Sequence, residues 1–259
     1  MPSLGMHDVS DDAVRVHSVA RGDGRTLLFT HGWGATSFMF EPSAIALASH
    51  FRVVTWDQRG HGASESPPDP STYSVDTTIA DMAMLLDRNG SGRGILVGHS
   101  LGGYLSLEFT RRYPERVEAL VLVGAGPGFR DDEARGKWNR FTARIADRAE
   151  ARGLTALQRE RDLHGNLHSS IDGLVKSARG VLPQHDSTVL DSLPSISVPV
   201  LVIVGEHDLQ FRASADHMAA KIPDAQLVVV PDAGHSINVE QPAVFEHEVV
   251  SFVRSRFGG

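Results

Sequence analysis

Short apolar runs rich in β-branched residues alternate with amphipathic stretches along most of this chain. The runs near Val14–Val19, Thr26–Thr30, Arg52–Trp56, Gly94–Val97, Ala119–Val123, Val200–Val204 and Leu227–Val230 have strand character. Between them, Val75–Asp87, Leu101–Tyr113, Ala213–Lys221 and Ala243–Arg256 repeat apolar residues at helical spacing. Strands that alternate with helices pair in parallel, because each crossover helix covers a face of the sheet. The expected fold class is therefore α/β, a mostly parallel central sheet with helices on both faces. Ligands bind such a sheet at the carboxyl ends of its strands, so residues in those loops carry the most functional weight.

One block breaks the alternation. After Gly124-Ala125-Gly126-Pro127 no strand pattern returns until Ser197-Val198-Pro199, and Asp131–Arg152, Ala156–Leu163 and Ser169–Leu182 read as helices. Long insertions in compact domains tend to be lids over a site. Residues 127–193 are accordingly expected to form an inserted helical cap, with residues 1–126 and 194–259 forming the core domain. A packed helical connection with no part in substrate access is the plainer alternative.

Composition narrows the function classes. At 259 residues, 41% apolar and 22% charged, the chain has the make-up of one soluble globular domain with an insertion. Its net charge of −7 argues against nucleic acid, which asks for a basic face. There is no cysteine, which removes disulfides, thiolate nucleophiles, iron–sulfur clusters and thiolate zinc sites together. The start, MPSLGMHDVSDD, lacks the basic and apolar segments of a signal peptide, and no apolar run approaches a membrane span. The expectation is a cytoplasmic protein that acts on a small molecule, with no nucleic acid or membrane partner.

The chemistry begins at Gly98-His99-Ser100-Leu101-Gly102, a G-x-S-x-G sequence with Gly103 behind it. Gly94-Ile95-Leu96-Val97 before it is a strand pattern and Tyr104–Phe109 after it is helical, which is the setting a nucleophile elbow requires. Glycines permit the tight turn, and the helix start favours negative charge developing nearby. His31-Gly32-Trp33-Gly34 follows another apolar strand. A Gly-flanked bend there can offer a backbone N–H to an oxyanion, so the two donors are assigned to the backbones of Trp33 and Leu101.

These segments resemble the α/β-hydrolase superfamily. His31–Gly34 resembles its oxyanion loop, Asp57-Gln58-Arg59-Gly60-His61-Gly62-Ala63-Ser64 the turn after its next strand, and Gly98–Gly103 its elbow. Gly205-Glu206-His207-Asp208 resembles the acid loop and Gly234-His235-Ser236 the histidine loop, in the family's order. The resemblance implies an α/β-hydrolase fold with Ser100 as nucleophile, Asp208 as acid and His235 as base. Chemistry asks for the same set: a hydroxyl needs an imidazole to accept its proton, and the imidazole needs a carboxylate to orient it. Glu206 is the rival acid, and the Asp57–Ser64 turn is expected to brace the oxyanion loop.

Other candidates are weaker. His164 and His168 stand four apart, a metal-ligand spacing, but the glutamate of a zinc-protease helix is missing and Gly165 weakens a helix there. No metal and no cofactor are expected. The Trp33 ring, His99, Phe129, Trp138 and Phe211 are the expected substrate-binding surface. The cap's basic residues are interleaved with acids and read as a solvated face, although one of them could meet a substrate carboxylate.

Serine in the elbow excludes the dehalogenases and epoxide hydrolases of this fold, which place aspartate there. The pattern, with Asn238-Val239-Glu240-Gln241-Pro242 behind the histidine, is most similar to small bacterial enol-lactonases and related esterases. The expected activity is hydrolysis of a carboxylic ester or lactone through an acyl-enzyme. Carbon–carbon hydrolysis of ring-fission products and cofactor-free perhydrolysis are the alternatives within the class, and a non-catalytic ligand receptor the alternative outside it.

Overall fold

The computed structural model describes residues 14–156 and 167–258. Among them a seven-stranded sheet runs in the order β1-β3-β2-β4-β5-β6-β7. Its strands are β1 (Ser18–Arg21), β2 (Thr26–Thr30), β3 (Arg52–Trp56), β4 (Gly94–His99), β5 (Val117–Val123), β6 (Val200–Gly205) and β7 (Ala225–Val230). β1 is antiparallel to β3, and every other pairing is parallel.

The helices are α1 (Glu41–Leu47), α2 (Val75–Asn89), α3 (Leu101–Arg112), α4 (Asp132–Arg152), α5 (Ile171–Gly180), α6 (Thr188–Ser192), α7 (Arg212–Lys221), α8 (Ile237–Glu240) and α9 (Pro242–Phe257). None is long and apolar enough to cross a membrane.

Two apolar clusters sandwich the sheet, and the two-residue period of the strands sorts side chains between them. Leu27 and Phe29 of β2, Ile95 and Val97 of β4, and Leu201 and Ile203 of β6 point to one face, where Phe40, Leu47, Phe245 and Phe252 cover them. Leu28, Leu96, Val202 and Val204 point to the other, against Met82, Leu85, Leu105 and Phe109 of α2 and α3. Both faces of the inner strands are buried, which is why these strands appear in the sequence as unbroken apolar runs.

Local chemistry sets the helix ends. The Ser74 side chain caps α2 through the N–H of Thr77, and Thr77 reaches back to the N–H of Ser74. Asp131 caps α4 through the N–H of Ala134 at 2.8 Å, and Gly153 ends that helix at φ 64°. Between β5 and β6 the described residues hold α4, α5 and α6 and no strand. Ala146, Ala149, Val175 and Ala178 tie α4 and α5 into the same core as α3. The remaining expected helix, Ala156–Leu163, falls almost wholly outside the described residues.

β1 and α1 differ from the pattern, as does the four-residue α8. β1 starts at Ser18 rather than Val14, because the preceding backbone is bonded elsewhere. Arg15 N–H donates to Glu65 Oε2 at 3.0 Å, and His17 N–H to Ser64 Oγ at 2.8 Å. Helix α1 was not expected; with seven residues and a proline in its first turn it is too short to show a period.

Candidate active site

β4 lies inside the sheet between β2 and β5, and Ser100 is the first residue beyond it. Its backbone sits at φ 53°, ψ −117°, a conformation costly for a non-glycine residue. Ser100 N–H is tied to the carbonyl of Val123 at 2.9 Å, and its own carbonyl accepts from Gly103 N–H at 3.0 Å. The turn also needs α3 close against β2: a Cβ on Gly102 would lie 2.0 Å from the carbonyl oxygen of Thr30. Among the described residues the Ser100 hydroxyl has no hydrogen-bond partner.

The N–H of Leu101 opens α3, where a helix has no internal acceptor to offer. It and the N–H of Trp33 donate to no group among the described residues. Both residues line one cavity with Ser100 and His235.

His235 lies beyond β7, and its Nδ1 meets Asp208 Oδ2, beyond β6, at 2.8 Å. A carboxylate only accepts, so Nδ1 carries the proton and Nε2 is left as a base. Asp208 is buried, and its other oxygen accepts from Phe211 N–H at 3.3 Å. Glu206 is exposed and binds Asp232 N–H instead. Phe211 stacks on the imidazole with centroids 4.9 Å apart. Gly124, beyond β5, leaves room for that ring, since a Cβ there would lie 3.0 Å from His235 Nδ1. On the other side His99 bonds the His235 carbonyl through Nε2 at 3.1 Å. Burial, with His235 beside it, holds the His99 pKa well below the ordinary histidine range.

Three further histidines bracket the loop that carries Trp33. His31 Nδ1 bonds the carbonyl of Gly32 at 2.7 Å while its Nε2 accepts from Gln58 N–H at 3.1 Å. His61 Nε2 accepts from Gly34 N–H, and its Nδ1 faces the Arg59 carbonyl, both at 3.1 Å. His168, from the segment between β5 and β6, accepts from Gly62 N–H at 3.1 Å and bonds the Gly34 carbonyl through Nε2 at 2.7 Å. One acceptor and one donor nitrogen per ring is the neutral imidazole. Burial is the main cause that lowers His31 to about 4 and His61 well below the ordinary value. Below them Asp57 accepts from Ser37 N–H at 2.6 Å and Ala63 N–H at 2.9 Å. The Trp33 indole donates to the Leu174 carbonyl of α5 at 3.2 Å, a second tie between that segment and the loop.

The cavity above Ser100 measures about 310 Å³ and is walled mainly by apolar side chains. Its size and lining suit a small organic molecule. Tyr104 stands in its wall, with its phenol pushed up to about 12 by burial.

Residues 27–248 match the family model described as "Alpha/beta hydrolase family". The chain belongs to that family. This hydrolase is 29% identical to the 2-(acetamidomethylene)succinate hydrolase of Mesorhizobium japonicum over 254 residues, covering 90% of this chain and 89% of the relative. Among solved structures it is similar to a thermophilic esterase from Thermogutta terrifontis, at 26% identity and TM-score 0.79, covering 95% of this chain and 96% of that one. It is also similar to the enol-lactonase of Burkholderia xenovorans, at 26% identity and TM-score 0.74, covering 94% of this chain and 97% of that one.

The hydrolase gathers Trp33, His99, Ser100, Leu101, Phe129, Trp138, Phe211 and His235 around the one cavity, with Asp208 directly behind His235. His168 is not arranged as a metal ligand, because both its ring nitrogens face backbone groups; His164 lies outside the described residues. Glu206, His207 and Asp232 bring ligand-type atoms within 4.8 Å of one another, but on the exposed surface. Sequence reasoning missed Phe141, Ile145, Arg148, Leu182 and Gln184 as cavity residues. The helical spacing of Trp138, Phe141 and Ile145 was the available signal.

Proposed function

We propose that this hydrolase cleaves a carboxylic ester or lactone of a small molecule through an acyl-enzyme on Ser100. The observation that carries the reading is the 2.8 Å bond from His235 Nδ1 to Asp208, which leaves Nε2 as a base in the cavity that holds Ser100. As the carbonyl carbon is attacked, the Ser100 hydroxyl turns to Nε2 and gives up its proton. Such contacts commonly tighten only once substrate is seated. The oxyanion is met by the N–H groups of Trp33 and Leu101. Collapse breaks the ester C–O bond, and His235 returns its proton to the departing alkoxide. Water then loses a proton to His235 and adds to the acyl carbon. The second collapse frees the acid, and the proton goes back to Ser100. Overall, one ester and one water become one acid and one alcohol.

Residues 127–193 serve in this scheme as a cap that supplies much of the cavity wall, over a core formed by the rest of the chain. Fluorophosphonate labelling tests the assignment. Wild type is expected to take up one probe at Ser100 and Ser100→Ala none, with turnover of short acyl esters down at least about 1,000-fold in the variant. Retention of most ester cleavage by Ser100→Ala would sink it.

A further inference from the structure

Helix α4 gives one face to the cavity, and a cation interrupts it. Trp138, Phe141, Thr142, Ile145, Arg148 and Ala149 line the space, at the three- and four-residue steps of a single helical stripe. Thr142 turns its hydroxyl back onto the carbonyl of Asn139 at 3.1 Å, so it presents little polarity. Arg148 alone brings a charge to a stripe that is otherwise apolar in character. It is exposed as well as cavity-lining, which places it at the opening.

Among the described residues, no acid pairs with it. The adjacent acids Asp147 and Glu150 are both held by Arg179, at 3.0 and 2.6 Å. Other cations of the segment are matched: Arg130 with Asp191, Arg135 with Asp132, Lys137 with Glu133, and Lys176 with Asp172. Arg140, Arg144 and Arg152 form no ion pair among the described residues either, but they do not line the cavity. Arg148 forms no ion pair and no side-chain hydrogen bond among the described residues. Among the described residues, no aspartate or glutamate lines the cavity.

We infer that Arg148 is an anion subsite, and that the substrates of this hydrolase carry a carboxylate at the end remote from the bond to be cleaved. The inference deepens the hydrolytic reading and rests on it for the identity of that bond. A guanidinium suits the role because its planar fork donates two parallel hydrogen bonds to a carboxylate. The apolar wall between Arg148 and Ser100 would hold the connecting carbon chain, so a substrate is gripped by its charge at the mouth and cleaved below.

A binding experiment separates the subsite from the chemistry. Monomethyl esters of the straight-chain diacids from glutarate to suberate, and the matching neutral dimethyl esters, are titrated calorimetrically into the Ser100→Ala protein. In at least one chain length the monoacid is expected to bind about 5- to 20-fold more tightly than its neutral partner. Arg148→Gln in the same background should bring that ratio to about one, Arg148→Lys should keep part of it, and Arg148→Glu should invert it. The preference should also weaken as salt is raised. A preference that survives Arg148→Gln, or none at any chain length, overturns the subsite. Wild-type turnover is followed separately: preserved binding preference without hydrolysis would sink the hydrolytic reading alone.

Discussion

His168 bonds the carbonyl of Gly34 across 2.7 Å and 134 positions of sequence. Through this bond, and the one from Gly62 N–H to its other nitrogen, a residue between β5 and β6 fastens the loop that carries Trp33, whose N–H is the proposed oxyanion donor. His168→Ala removes both bonds and is expected to lower kcat about tenfold with little change in KM, since the loss falls on oxyanion placement. His168→Gln keeps an amide donor and acceptor at similar separation and should restore most of the rate. Equal losses in the two variants would reduce the residue to packing.

Asp208 and Glu206 are two positions apart, but only Asp208 reaches His235. Asp208→Asn is expected to lower kcat by about 1,000-fold or more, because an amide that donates to Nδ1 favours the wrong tautomer. Glu206→Gln should stay within about threefold of wild type, as its contact is to a surface loop. Steady-state kinetics on one ester decide between them, and a reversed order of severity would move the acid to Glu206.

Gly102 sits where α3 and β2 touch, with no room for a methyl group. Gly102→Ala must push the helix from the sheet and is expected to cost about 3 kcal/mol of stability. It should also displace Ser100, so that activity falls even below the unfolding temperature. Denaturant melts paired with probe labelling measure the two effects; a variant as stable as wild type would show that the contact yields more easily than the geometry implies.

The buried histidines predict sensitivity to acid. His31 is lowered to about 4, and His61 and His99 are also lowered, so each stays neutral in the fold while the unfolded chain takes up its proton near pH 6.5. The unfolded state then binds more protons, so stability is full above pH 6.5 and falls as pH drops towards 4. Each histidine contributes up to about 1.4 kcal/mol per pH unit across that window. Unfolding midpoints followed from pH 7 to 4 should decline steeply, and His31→Asn should flatten the slope by about one proton. A midpoint that holds steady over this range would contradict neutral, buried rings.

Much of this fold could be read from the chain because its inner strands are buried on both faces. Leu27-Leu28-Phe29 and Leu201-Val202-Ile203-Val204 have no solvent side to dilute the apolar signal. Ser100, Asp208 and His235 stood out because each lies shortly beyond an apolar run, within a recognisable motif. His168 stood out only for its spacing to His164; its bonds to Gly62 and Gly34 span 106 and 134 positions, beyond the reach of any local pattern. Arg148 was one basic residue among many. Only the turn of α4 and the ion pairs of its neighbours set it apart.

The route between β5 and β6 has a bearing on how this protein could change its diet. Returning the chain to the foot of the next parallel strand falls to the five residues of α6, which packs on α3. α4 and α5 are surplus to that journey, and so are Phe129, Trp138, Phe141, Arg148, Leu182 and Gln184, which all come before α6. Much of the wall thus lies in a different stretch of the gene product from the proposed tools at Ser100, Asp208 and His235, and substitutions there that spare His168 could retune appetite while those tools stay as they are.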